Sequence, residues 1–104
     1  MYFNFERLEI WQLSRQLTIL VFERTQSTDF LIYQDLIRQI RKSCISIFSN
    51  IAEGSARTSI ADRRKFISIA YSSAIEALSQ LILCNDFQII CDEDYEKIRQ
   101  LIEN

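Results

Sequence analysis

Gly54 is the only glycine in this chain, and there is no proline. It follows a run, residues 43–53, in which Cys44, Ile47 and Ile51 keep helical register. A lone glycine just past a helical run reads as the residue that takes positive φ and closes the helix, because it has no Cβ to clash. The chain is therefore expected to turn sharply here, with the polar groups Asn50, Glu53 and Arg57 at the turn.

The length supports one domain, residues 1–104, and a hydrophobic share of 48% is enough for a core and too much for disorder. No apolar run reads as long enough to span a membrane, since Arg or Glu interrupts each candidate. Residues 1–6 lack a basic region followed by an apolar one, so no secretory signal is expected. Cys44, Cys84 and Cys91 are odd in number and widely spaced, which argues against a disulfide framework and for reduced thiols in the cytoplasm. With no histidine and no paired cysteines, neither a zinc site nor another metal or cofactor is expected.

Charge is unevenly spread within a net of −2. Residues 1–37 carry net −2, residues 38–65 net +5 and residues 66–104 net −5. The middle is a basic segment in an acidic protein.

The spacing predicts a first helix capped by Asn4 and ending near Thr25. It has two apolar stripes, one through Leu8, Trp11 and Phe22, the other through Ile10, Leu13, Leu17 and Val21. Gln26 to Asp29 reads as a loop. A second helix is predicted over 30–53, with Leu36 or Ile37, Ile40, Cys44, Ile47 and Ile51 facing the core. Ser59 with Asp62 three residues on resembles a capping box for a third helix over 60–89. Its main stripe is Phe66, Ala70, Ser73-Ala74, Ala77, Leu81 and Cys84, widened by Ile67, Tyr71, Leu78 and Ile82. Small residues from Ala70 to Ala77 let another helix approach closely. Asp92-Glu93-Asp94 suits the N-terminus of a short fourth helix, with Tyr95, Ile98 and Leu101-Ile102 inward. Short connections imply antiparallel neighbours. The fold class is all-α, an antiparallel up-down-up-down four-helix bundle.

Three constellations could carry function. Asn50, Glu53 and Glu76 with Arg41 and Arg57 could form a polar site at one end of the bundle. The favoured reading is a structural network, with Glu53 paired to an arginine and Asn50 satisfying backbone groups where the helix stops. No nucleophile, metal ligand set or phosphate loop accompanies them, so no catalytic residues are assigned and no enzyme is expected. Arg38, Arg41, Lys42, Arg57, Arg63, Arg64 and Lys65 could form a positive surface for a phosphate backbone, or a solvated face partly used in ion pairs. If helices two and three are antiparallel, the later group falls near the end of helix two and away from Arg38. Tyr2, Phe3, Phe5, Trp11 and Phe22 could be core or a subunit interface.

The stretch Ser46-Ile47-Phe48-Ser49-Asn50-Ile51-Ala52-Glu53-Gly54, followed by Arg57, resembles the signature of the small bundle proteins encoded in intervening sequences of bacterial 23S ribosomal RNA genes. Phe5, Leu8, Ile10-Trp11 and Leu17 resemble that family's first helix. Gln39 and Arg41-Lys42 resemble its glutamine and basic pair, and Phe66, Ala70, Ser72-Ser73, Glu76 and Leu78 its third helix. Phe48 stands where the family usually has proline, and Asp35 where it usually has glycine. The segment before helix two is shorter and lacks the usual proline. The resemblance implies a four-helix bundle that assembles as a homopentameric ring with a link to RNA. The accessory protein of diversity-generating retroelements, a basic pentameric barrel that binds a reverse transcriptase and RNA, is similar in fold. The function expected is a non-enzymatic, oligomeric RNA-binding module. The alternative is a protein–protein adaptor ring without nucleic-acid contact.

Overall fold

The computed structural model describes residues 4–26 and 33–103. A 3-10 turn, Asn4–Arg7, leads into α1 (Glu9–Arg24), followed by α2 (Gln34–Ser55), α3 (Ile60–Asp86) and α4 (Asp92–Glu103). No strand occurs among the described residues. The loop expected at residues 26–29 and the expected start of helix two at Phe30 fall largely on residues 27–32, outside the described residues.

Successive helices are antiparallel, as residue pairs between them show. Trp11 meets Phe48, Thr18 reaches the Cys44 carbonyl and Thr25 reaches Arg41, so α2 runs against α1. Ser43 donates to Gln80 at 2.8 Å, and the Ser46 and Ser73 hydroxyls meet at 2.6 Å. Farther along, Gly54 lies against Phe66, so α3 runs against α2. Asn85 ties α3 to Asp92 at the start of α4, and Arg24 at the end of α1 pairs with Asp94 at 3.2 Å. The core is Leu17, Val21, Ile40, Cys44, Ile51, Ala77, Leu81, Cys84, Ile90 and Ile98 with their neighbours. The expected inward positions of α2 and the spine of α3 are there.

Local starts and stops differ from expectation in three places. The first helix does not begin at Asn4: the chain makes a 3-10 turn, and α1 starts only after Leu8, whose side chain makes no cap bond. Its buried line is Trp11, Ser14, Leu17 and Val21, which cuts across both expected stripes and leaves Leu8, Ile10 and Ile19 exposed.

Gly54 does not take positive φ. It is buried inside α2, which continues to Ser55 and ends on the αR residue Ala56. Arg57 N–H closes on the Gly54 carbonyl at 3.2 Å, a tightened last turn that needs no left-handed residue. What the glycine supplies is room: a Cβ there would stand 3.1 Å from the Cβ of Phe66. A four-residue link then suffices, ending in Ser59, whose hydroxyl accepts from Asp62 N–H at 3.1 Å as the capping pattern predicts.

Among the described residues, the one in left-handed conformation is Gln88, with φ 57°. α3 stops at Asp86, short of the expected 89. Ile89 N–H reaches back to Cys84 O, and Gln88 N–H to Asn85 O, each at 2.9 Å. These two bonds define a Schellman motif, with glutamine where glycine is usual. Gln88→Gly is therefore expected to raise stability by about 0.5–1 kcal/mol, since a side chain in this conformation costs roughly that much. Thermal melts of the two proteins check it, and an unchanged or lower midpoint refutes it.

α3 is apolar around most of its circumference, with an exposed polar line at Ser68, Ser72, Glu76 and Ser79. Glu76 is the only charge between Lys65 and Asp86. The helix contains an 18-residue window of mean hydropathy 1.4, of which 22% is buried. By length and composition it matches a membrane-crossing helix, which corrects the expectation that no run is long enough. Of the residues expected to widen its inner stripe, Leu78 is half-buried, while Ile67, Tyr71 and Ile82 are exposed. Burial pushes the Cys44 thiol up to about 12, with Cys84 nearby adding to it, and pushes Cys84 up to about 11. Both raised values mean that the folded state holds these protons longer than the unfolded chain. Their contribution to stability is complete below the ordinary thiol range and is lost as pH rises toward those values.

Candidate nucleic-acid interface

Antiparallel packing divides the basic segment between the two ends of the α2–α3 pair. Arg57, Arg63, Arg64 and Lys65 gather where α2 gives way to α3. Lys42 lies about 18 Å along α2 from Gly54 at 1.5 Å per residue, with Arg38 and Arg41 beyond it.

At the far end little charge is available. Arg38 is held by Asp35 at 2.6 Å. Arg41 is half-buried: its Nε donates to Thr25 Oγ1 at 2.9 Å, its Nη2 to the Phe22 carbonyl, and its guanidinium lies 4.7 Å from the Phe22 ring centre. Arg41 thus closes the C-terminus of α1, where a cation meets the negative end of the helix dipole. Lys42 is exposed and makes no ion pair among the described residues.

The near end is different. Arg63, Arg64 and Lys65 occupy consecutive exposed positions in the first turns of α3. Arg63 Nε donates to the Arg57 carbonyl at 2.7 Å, which fixes its stem across the turn. Arg57 pairs with Glu53 at 2.9 Å, and its guanidinium lies 4.8 Å from the centre of the Phe66 ring. Lys65 lies 5.8 Å from the same ring. Arg63, Arg64 and Lys65 have no carboxylate partner among the described residues. They sit beside the positive end of the α3 dipole, where an added anion is stabilised.

The expected polar constellation does not assemble as one site. Glu53 and Arg57 pair, as the structural reading has it. Asn50 donates to the Ser46 carbonyl at 2.8 Å and to its hydroxyl at 3.2 Å, so it bonds within α2 and not at the helix end. Glu76 is exposed on the middle of α3, and Arg41 belongs to the other end.

The aromatic residues divide too. Tyr2 and Phe3 lie outside the described residues. Trp11 is core, 8% exposed, and contacts Phe5 at 5.0 Å edge-on and Phe48 at 5.1 Å. These three rings border a cleft of about 720 Å³ between the 3-10 turn and the last turns of α2, with Glu6, Ser49 and Glu53 also on its wall. Sequence reasoning missed this cleft. Its signal was Phe48, an aromatic where the resembled pattern has proline.

A second hollow, about 310 Å³, lies between α1, α3 and the tip of α4. The α1 and α3 backbones stay apart, and α4, at 12 residues, is too short to fill the space along α3. Ile10, Leu13, Ile67 and Tyr71 line it, and Ile60, Ile75 and Ile82 continue an exposed apolar stripe along α3. Among the described residues, this stripe is a long exposed apolar surface on α3.

A family model described as 23S rRNA-intervening sequence protein matches residues 6–104. No curated protein matches the chain.

Proposed function

Because the chain belongs to the 23S rRNA-intervening sequence protein family, we propose that it is a non-enzymatic, cytoplasmic module that binds RNA as an assembly of identical copies, five on the family pattern. The observation that carries this reading is the row Arg63, Arg64, Lys65. These three cations are exposed, lack carboxylate partners among the described residues and stand at a helix N-terminus. A single copy, with net charge −2, presents only a small positive patch. A ring repeats that patch and sums its field toward a polyanion. The exposed stripe on α3 supports assembly, since apolar patches of this kind mark contacts between chains. The same stripe supports a second reading, an adaptor that docks proteins and leaves RNA alone.

The test is RNA affinity against salt for the Arg63→Gln, Arg64→Gln, Lys65→Gln triple variant. Affinity is expected to fall, and the log–log salt slope to flatten by about 2 for each chain engaged, as three phosphate contacts disappear. Unchanged affinity and slope would remove this row from the interface. Binding insensitive to salt would favour the adaptor.

A further inference from the structure

The cleft walled by Phe5, Trp11 and Phe48 is unusual in what it leaves unmet. Trp11 Nε1 is buried and makes no hydrogen bond among the described residues. A buried donor without an acceptor is disfavoured, and few native groups stay so without a reason. The indole lies between two other rings in a hollow of about 720 Å³, within the range of small-molecule sites. The carboxylate of Glu53 stands on the same wall. Glu53 uses Oε2 for Arg57, and its other oxygen makes no hydrogen bond among the described residues. Arg57 in turn links the cleft to Arg63 through its carbonyl. An aromatic floor, one N–H donor, one carboxylate acceptor and an adjoining cationic row are thus contiguous.

We infer that this cleft takes a single unpaired guanine from a nucleic-acid strand whose phosphates lie on Arg57, Arg63 and Arg64. Bases splayed from single strands stack on aromatic side chains and are read along their edges. Guanine is the base whose pairing edge sets a carbonyl acceptor beside two N–H donors. The carbonyl suits Trp11 Nε1–H, and the donors suit a carboxylate. Adenine presents the reverse order, and its amino group would face the indole donor. The indole nitrogen is sealed from water in the free protein, so the base reaches it only as the neighbouring rings shift. Trp11 is the only tryptophan, and its emission therefore reports on this cleft alone. The inference rests on the RNA-binding reading and adds a base pocket to it.

The experiment titrates guanosine monophosphate, then the adenosine and cytidine monophosphates, into the full chain while reading Trp11 emission. A saturable change with the guanine nucleotide is expected, with the adenine nucleotide about ten-fold weaker or more, as expected where one polar contact becomes a mismatch. Glu53→Gln, a change at an exposed residue, should weaken the guanine response by a similar factor and leave the melting curve in place. No saturable change up to millimolar nucleotide, or equal responses to all three, overturns the inference. RNA binding measured on the same sample keeps the two readings apart. Binding to RNA without a Trp11 response removes the pocket alone. A guanine response that survives in the triple glutamine variant, together with unchanged RNA binding, removes the cationic row alone.

Discussion

Leu81→Ala is expected to lower the stability of this chain by about 3 kcal/mol, the middle of the range for emptying a buried leucine site. Leu81 has no exposed surface, and it packs in the same cluster as Ile40, Ile51, Cys84 and Ile98, which brings α2, α3 and α4 together. Deleting its methyls removes apolar burial and leaves a void that helices pinned along their length cannot fully close. For a domain of this size the loss corresponds to a fall in melting temperature of roughly 12–20 °C. The neighbouring residue supplies the control. Ile82 is 40% exposed in the single chain, so Ile82→Ala should cost under about 1 kcal/mol. If copies meet along the α3 stripe, that second variant should change oligomer mass more than it changes the melting curve. Equal melting shifts for the two variants would mean that the face of α3 assigned to the core is wrong.

Gly54→Val is expected to cost about 2 kcal/mol through crowding. A Cβ at this position meets the Cβ of Phe66 at 3.1 Å and the carbonyl of Arg63 at 3.6 Å, and both belong to the helix packed opposite. Valine adds two further carbons at the closest approach of α2 and α3. Alanine is the informative partner. It gains about 1 kcal/mol of helix propensity over glycine and asks Phe66 to yield only slightly, so the two effects nearly cancel. A glycine needed for left-handed backbone would instead penalise alanine and valine alike. Chemical denaturation of the pair decides between them. Valine as stable as glycine would show that the helices separate easily here, and alanine as costly as valine would revive the backbone explanation.

Gly54 shows where sequence reasoning holds and where it stops. Its position at the end of a helix was legible, and so was the turn that follows. The role was not, because a glycine used for close approach and one used for positive φ look the same until the opposing helix is in place. Gln88 is the counterpart: nothing in a glutamine announces a left-handed conformation, and the Schellman bonds that hold it depend on the path into α4. The buried spine of α3, from Ala70 to Cys84, was readable from its spacing because small residues mark a tight seam. The outer stripe was misread as a broader inner face, since spacing cannot tell an isoleucine covered by α4 from one that α4 is too short to reach. For the candidate interface, the cations were plain in the sequence. That Arg38 and Arg41 are held at the far end was not, because it depends on which partners Asp35, Thr25 and Phe22 supply.

The hydroxyl pair Ser46–Ser73 has a consequence for how α3 is seated. A helix apolar over most of its circumference tolerates a small roll, since it would still offer apolar surface to its neighbours. Hydrophobic burial therefore chooses the partners of α3 but sets its angle only coarsely. The angle is chosen by contacts that exist in one orientation only, the two serines at 2.6 Å and Ser43 with Gln80 at 2.8 Å. Rolled away, each leaves buried polar atoms without partners, a loss that no substituted isoleucine contact makes good. These few polar atoms keep the stripe that copies would share pointed outward, and with it the cations at the head of the helix.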